Sequence, residues 1–253
     1  VKILISNDDG IYSPGLRILA ERLQILGEVL VVAPDRERSA AGHSLTLNRP
    51  LRSVQIEEGW YSVDGTPTDC IALAVEGILK KKPDLVVSGI NLGANLGDDV
   101  TYSGTVSAAF EATLLGIPAF AISLAGEENG HLETAADFSI VLADLILKRG
   151  LFPDTLLNVN VPNLPWSKIK GVAITTQGRR TYAETIVEKV DPRGKVYYWI
   201  GGQDPAWRPI ADSDYEAVMQ GWISITPLHV NLTNYAAMDE LKTWSFPFPL
   251  KKG

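Results

Sequence analysis

The chain has 253 residues, 45% of them hydrophobic and 21% charged, which is the make-up of a folded globular protein with room for one large α/β domain or a domain with an appendage. A formal net charge of −7 argues against broad binding to nucleic-acid phosphates, and a single cysteine, Cys70, rules out an internal disulfide. No apolar run nears the roughly 20 residues that span a bilayer and no basic-then-apolar leader opens the chain, so the expectation is a soluble, cytoplasmic protein that partners neither membrane nor nucleic-acid polymer.

Residues 1–5 form a short, almost wholly apolar run that reads as a strand buried on both faces of a parallel sheet. Asn7-Asp8-Asp9-Gly10 follows at once. Two adjacent carboxylates at the carboxyl end of a buried strand repel each other and are poorly solvated. A bound divalent cation would remove that cost, and ligands of open α/β sheets sit outside these strand ends. Asp-Asp-Gly is equally a common turn. Ser13-Pro14 then starts a helix marked by Leu16, Leu19, Ala20 and Leu23.

Residues 29–33 are a second buried strand, ending in a polar loop that runs from Pro34 through Ser39 and His43 to Ser44. Residues 51–56 and 61–63 flank Glu57-Glu58-Gly59 as a hairpin. A helix capped by Gly65-Thr66-Pro67-Thr68-Asp69 carries Ile71, Ala74, Val75 and Ile78. The strand at 84–88 opens into a loop with glycines at 89, 93 and 97 and asparagines at 91 and 95. Ser103-Gly104-Thr105 begins the next helix, with Val106, Ala109, Phe110, Thr113 and Leu114 on one face. A strand at 119–123, a helix marked by Phe138, Val141, Leu142, Leu145 and Ile146, and a strand at 156–161 close this half. Such alternation implies βαβ units in a doubly wound, mostly parallel sheet with helices on both faces.

The remainder differs. Strands are expected at 171–175, 185–190 and 196–200, the last two as a hairpin around Asp191-Pro192-Arg193-Gly194. A loop-like stretch reaches Tyr215, a strand follows at 222–226 and a short helix at 236–241. The predicted division is a catalytic core over 1–165 and a C-terminal part over 166–253 that contributes the hairpin, a returning core strand and a tail. The hairpin and the tail with Trp244, Phe246 and Phe248 suit exchange between subunits, while packing on their own domain is the default expectation.

Parallel strands bring their carboxyl ends to one edge, so the loops carrying Asp8 and Asp9, Ser39, and Asn91 with Asn95 can converge. Two carboxylates with neutral oxygens suit Mg²⁺ or Mn²⁺. No His or Cys spacing matches a zinc site. Of the three histidines, His43 lies in the Ser39 loop and could donate a proton. Backbone N–H groups at the helix start of Ser103-Gly104-Thr105 can bind phosphate, although Ser and Thr are ordinary helix caps too. The glycine-spaced loop lacks the Lys-Ser/Thr ending of a P-loop, and the first strand lacks the G-x-G-x-x-G of a dinucleotide fold. That disfavours a dinucleotide-dependent oxidoreductase. A metal beside an anion-binding helix start is the arrangement phosphoryl transfer requires.

Together, Ile5-Ser6-Asn7-Asp8-Asp9-Gly10, the run from Ala33-Pro34-Asp35 to His43-Ser44, Ser88-Gly89-Ile90-Asn91-Leu92-Gly93-Ala94-Asn95-Leu96-Gly97 and Tyr102-Ser103-Gly104-Thr105 closely resemble the SurE family of stationary-phase survival proteins. Gly65-Thr66-Pro67-Thr68-Asp69-Cys70, Leu157-Asn158-Val159-Asn160-Val161-Pro162 and Ser224-Ile225-Thr226-Pro227-Leu228 extend the likeness over nearly the whole chain. The resemblance implies a Rossmann-like core and a metal-dependent phosphatase that hydrolyses nucleoside 5′-monophosphates, with 3′-monophosphates and polyphosphate as further substrates. It implies one divalent ion held by Asp8, Asp9, Ser39 and Asn95, and a phosphate pocket of Asn95, Ser103, Gly104 and Thr105. It implies homodimers or homotetramers that exchange C-terminal segments. Asp8 or Asp9 would take the proton of an attacking water, with attack by an aspartate carboxylate as the rival route. A metal-dependent nucleotide-binding or sensing protein without turnover is the alternative function, since the same loops would bind phosphate in either case.

Overall fold

The computed structural model describes residues 1–79, 81–126, 130–181, 186–200 and 206–246. Its first half alternates strand and helix: β1 (Lys2–Ser6), α1 (Pro14–Leu23), β2 (Glu28–Pro34), β3 (Ser53–Glu57), β4 (Trp60–Val63), α2 (Pro67–Leu73), β5 (Leu85–Leu92), α3 (Gly104–Leu114), β6 (Ala119–Ala125), α4 (Leu132–Arg149) and β7 (Thr155–Pro162). The second half adds β8 (Val172–Ile174), β9 (Arg180–Thr181), β10 (Ile186–Val190), β11 (Val196–Ile200), β12 (Ala206–Trp207), α5 (Asp214–Met219), β13 (Ile223–His229) and α6 (Tyr235–Leu241).

Among the described residues, nine strands form one sheet in the order β3-β4-β2-β1-β5-β6-β7-β13-β8. Neighbours from β4 to β7 run parallel, β13 is antiparallel to β7, and β3 is antiparallel to β4. From β1 the chain winds one way to β2 and the other way through β5, β6 and β7. The reversal falls between β1 and β5, and the crevice at such a switch point is where ligands bind.

Strand alternation sorts the core into two layers. Ile3, Ile5, Val87, Phe120 and Ile122 pack under α1 and α4, whereas Leu4, Val86, Ala119 and Ala121 pack under α2 and α3. On α2, Cys70 and Ile71 are completely buried. The start of α2 is fixed by a capping box in which Thr66 and Asp69 each satisfy the other's backbone N–H.

The expected doubly wound, mostly parallel sheet is present, and the details differ in informative places. β5 does not stop at Ser88 but runs to Leu92, with a register shift against β6 between Ser88 and Asn91. Gly89 inside the strand marks that irregularity, as interior glycines do. Leu114, Val141 and Leu145, expected on buried helix faces, are exposed. The stretch read as a loop up to Tyr215 contains β12 and the start of α5, while residues 201–205 lie outside the described ones. β10 and β11 form the predicted hairpin from Ile186 onward, Thr185 lying outside the described residues. The hairpin and the described part of the tail are little covered: Tyr198, Trp199 and Ile200 are exposed, α6 buries no residue, and Trp244 and Phe246 stand open. Apolar side chains occur on both faces of the hairpin, so one covering layer would not bury them all. Phe248 falls outside the described residues. Among those described, no helix is long and apolar enough to cross a membrane.

Candidate active site

β1 delivers Asn7, Asp8 and Asp9 to the switch point. Asn7 Nδ2 donates to Gly10 O at 3.1 Å and to Ser13 Oγ at 2.7 Å, closing the turn. Ser13 in turn caps α1 by accepting from Leu16 N–H. Gly10 has φ +97°, and a Cβ there would lie 2.9 Å from the carbonyl carbon of Arg36, so only glycine fits. The loop after β2 is tied to the same turn, because Arg38 N–H donates to Asp8 O at 2.7 Å.

The start of α3 sits directly on Asp8. Ser103 caps the helix by accepting from Val106 N–H at 3.1 Å. A Cβ on Gly104 would meet Asp8 Cβ at 2.7 Å, so glycine permits the close approach. Thr105 Oγ1 donates to Asp8 Oδ1, and the backbone N–H groups of Gly104 and Thr105 also bond to the carboxylate. Burial pushes the Asp8 carboxyl above its ordinary value, and these hydrogen bonds pull it back. Asp9 is pushed up to about 6, first by burial, then by the charge of Asp8 and more weakly by Glu37, against a hydrogen bond from Leu92 N–H. Asp9 Oδ2 is buried with no hydrogen-bond partner. Asp9 also lines a cavity of about 340 Å³ with Tyr12, Asp35, Arg36, Glu37 and Leu92.

The two neutral candidates are held differently. Ser39 is exposed, and its hydroxyl donates to Glu37 Oε1 at 2.7 Å. Asn95 is buried, and its Nδ2 donates to Ser123 Oγ at 2.7 Å. Asn91 lies on β5 rather than in a loop beside Asn95, and its Nδ2 turns to Gly93 O. His43, considered as a proton donor, bonds Glu111 Oε2 at 2.8 Å and packs on Phe110, about two turns along α3 from the helix start.

Sequence reasoning missed two groups here. Asp214 is completely buried and accepts Gly97 N–H and Gly178 N–H, each at 2.8 Å, which ties the Asn95 loop to the C-terminal part. Its burial raises the carboxyl, opposed by the backbone N–H groups of Gly97, Gly178, Tyr215 and Asp214 itself. Asn158 and Asn160 on β7 are also completely buried and reach Asn95. Their signal was present: two amides at i and i+2 in an otherwise apolar strand must find partners if the strand is buried.

An orphaned buried carboxylate oxygen on Asp9 with a second carboxylate, Asp8, beside it fits a hard divalent cation. Among the described residues, no third His, Cys, Asp or Glu joins the pair to make a metal-ligating cluster, so serine and amide oxygens would have to complete the set.

The model of the family described as "Survival protein SurE" matches residues 3–184. The chain belongs to the SurE family. Relatives named 5′-nucleotidase SurE match it end to end. That of Geobacter metallireducens is 56% identical over 97% of this chain and 98% of its own length, and that of Geotalea uraniireducens 58% identical over 96% and 99%. The crystal structure of the SurE protein from Aquifex aeolicus superposes with a TM-score of 0.86 at 47% identity, covering 96% of this chain and 98% of that one. The family's fold is the α/β Rossmann-like sheet described above.

Proposed function

We infer that the chain is a 5′-nucleotidase, a divalent-metal-dependent phosphatase that hydrolyses nucleoside 5′-monophosphates to nucleoside and phosphate. The observation that carries this reading is the seating of the Asp8–Asp9 pair, with its unpartnered buried oxygen, on the glycine-bearing start of α3. Identity of 56–58% over nearly the whole chain to proteins named 5′-nucleotidase SurE supports the same activity over a sensor without turnover.

In this reading Asp8, Asp9, Ser39 and Asn95 hold one Mg²⁺ or Mn²⁺. Such an ion neutralises phosphoryl charge and acidifies water. The chain's own residues do the rest. Ser103, Gly104 and Thr105 present a helix start whose dipole favours the phosphoryl oxygens, and Asn95 adds an uncharged amide. Asp8 is engaged by Thr105 and two N–H groups, which leaves Asp9 the freer carboxylate. Asp9, whose Oδ2 has no hydrogen-bond partner, is the carboxylate left to take a proton from the attacking water. Direct attack by that water is the simpler route, and attack by a carboxylate, with Asp9 freer than Asp8 to make it, is the rival.

The exposed hairpin β10–β11 and the unburied α6 support a homodimer or homotetramer with exchanged C-terminal segments. The lone buried Cys70 suits a reducing, cytoplasmic setting.

The test is phosphate release from nucleoside 5′- and 3′-monophosphates with Mg²⁺ or Mn²⁺, then with excess chelator. Release from the 5′-monophosphates that chelator abolishes is expected. Tight nucleotide binding without release would mean a sensor, and a phosphorylated Asp8 or Asp9 trapped by acid quench would mean covalent catalysis.

A further inference from the structure

We propose that Asn158 and Asn160 are positioning residues that lock both peptide planes of Asn95, so that its side chain reaches the metal and phosphate site already oriented. The proposal rests on the reading of Asn95 as a ligand in that site.

Asn158 and Asn160 stand two apart on β7, so both face the α3 side of the sheet, while Val159 between them joins the core under α1 and α4. Asn160 Oδ1 accepts Asn95 N–H at 2.8 Å. Asn95 O accepts from Asn158 Nδ2 at 2.8 Å and from Asn160 Nδ2 at 2.9 Å. The N–H belongs to the peptide before the Asn95 Cα and the carbonyl to the peptide after it. Fixing both fixes φ and ψ at Asn95, and therefore the direction of its Cα–Cβ bond. Ser123, the β6 register partner of Asn160, then takes the Asn95 Nδ2 at 2.7 Å. An amide whose nitrogen is held on one side presents Oδ1 on the other, the atom a cation would require.

A loop at a sheet edge does not need this for its own stability, since water can satisfy its peptide groups. Here three completely buried polar side chains converge on one residue. Burying amides is unfavourable even when they are paired, and Asn158 Oδ1 is left without a hydrogen-bond partner. That burden is understandable if the residue serves the geometry of Asn95.

The experiment compares Asn160→Ala, Asn158→Ala and Val159→Ala in the full chain. Mn²⁺ affinity is read by electron paramagnetic resonance without substrate, beside melting temperature and turnover. Asn160→Ala should weaken Mn²⁺ binding by about 10–100-fold, as loss of ligand-orienting partners does elsewhere. Asn158→Ala should weaken it less, because Asn160 keeps two of the three bonds. Val159→Ala should lower the melting temperature yet leave Mn²⁺ affinity and turnover near the parent's. If Asn160→Ala binds Mn²⁺ as tightly as Val159→Ala does, the lock is overturned and the pair merely fills the sheet. Should Asn160→Ala fail to fold, the same criterion applies to Asn158→Ala against Val159→Ala. A parent that binds no Mn²⁺ overturns the site reading itself, which is a different result from a parent that binds and variants that do not differ.

Discussion

The loop after β5 carries Asn95 and the loop after β2 carries Ser39, the two neutral oxygens of the proposed metal site, and they are held in opposite ways. Asn95 is buried, with its peptide groups and its amide nitrogen all taken by β6 and β7 side chains. Ser39 is exposed, and its loop is pinned chiefly through backbone bonds such as Arg38 N–H to Asp8 O and Gly42 N–H to Tyr102 O. The difference separates a loop fixed by buried side chains from one held mainly by its backbone. Few buried contacts and solvent-facing hydrogen bonds place the β2 loop at the low-stability end of the molecule. Asp9 stands where the two meet, receiving Leu92 N–H from β5 and the charge of Glu37 from the β2 loop.

The largest effect should come from disturbing the contact between Asp8 and the start of α3. In Gly104→Ala the new Cβ would meet Asp8 Cβ at 2.7 Å and Asp8 Oδ2 at 2.9 Å, with Pro67 Cγ behind at 3.1 Å. Relief requires the helix start and Asp8 to part. We expect turnover to fall about 100-fold, the penalty for misplacing reacting groups by about 1 Å, and stability to fall by about 1–3 kcal/mol, as overpacking does. Steady-state rates and urea unfolding measure the two.

A smaller effect should appear with pH. Because the Asp9 carboxyl is raised from 3.8 to about 6, the folded, metal-free protein binds more protons than the unfolded chain between those values. Stability in chelator should therefore decline as pH rises through that window. Saturating Mn²⁺ should offset the decline by favouring the ionised form. Melting curves at pH 4.5, 5.5 and 6.5, with and without metal, give the sign. A metal-free protein that gains stability across this range would remove Asp9 from its buried, charge-crowded setting.

The smallest effect should be that of Ser39→Ala. Its hydroxyl bonds only Glu37 among the described partners and is exposed, so stability should stay within about 0.5 kcal/mol. The Mn²⁺ concentration giving half-maximal rate should rise about tenfold. A larger loss of stability from Ser39 than from Asn160 would reverse the contrast between the two loops.

Much of this was legible in the chain. β1, β2 and β7 are short apolar runs bounded by polar loops, and Ser13-Pro14, Thr66-Pro67 and Ser103-Gly104 each mark a helix start that the structure confirms. The convergence of Asp8 with Gly104 and Thr105 follows from parallel strands sharing one edge. What was hidden had specific reasons. Gly89 and Asn91 read as a loop, yet β5 carries on through them with a shifted register. α5 is six residues long, too short to show a helical period, and its key residue Asp214 acts through backbone N–H groups that no motif records. Asn158 and Asn160 were visible as letters, but their partner lies over sixty residues away.

Cys70 lies completely buried on α2, the helix whose Pro67 backs onto Gly104, and burial holds its thiol well above the ordinary range. A thiol reagent therefore meets a protonated, inaccessible sulfur until the α2–α3 layer opens. The chain thus carries its own clock for excursions beneath the helix start. Labelling kinetics under native conditions count those openings, and a ligand that favours the closed form slows the count by the factor 1 + [L]/Kd when opening limits through its equilibrium. Metal or nucleotide occupancy becomes readable as elapsed time at one sulfur atom, without an engineered probe.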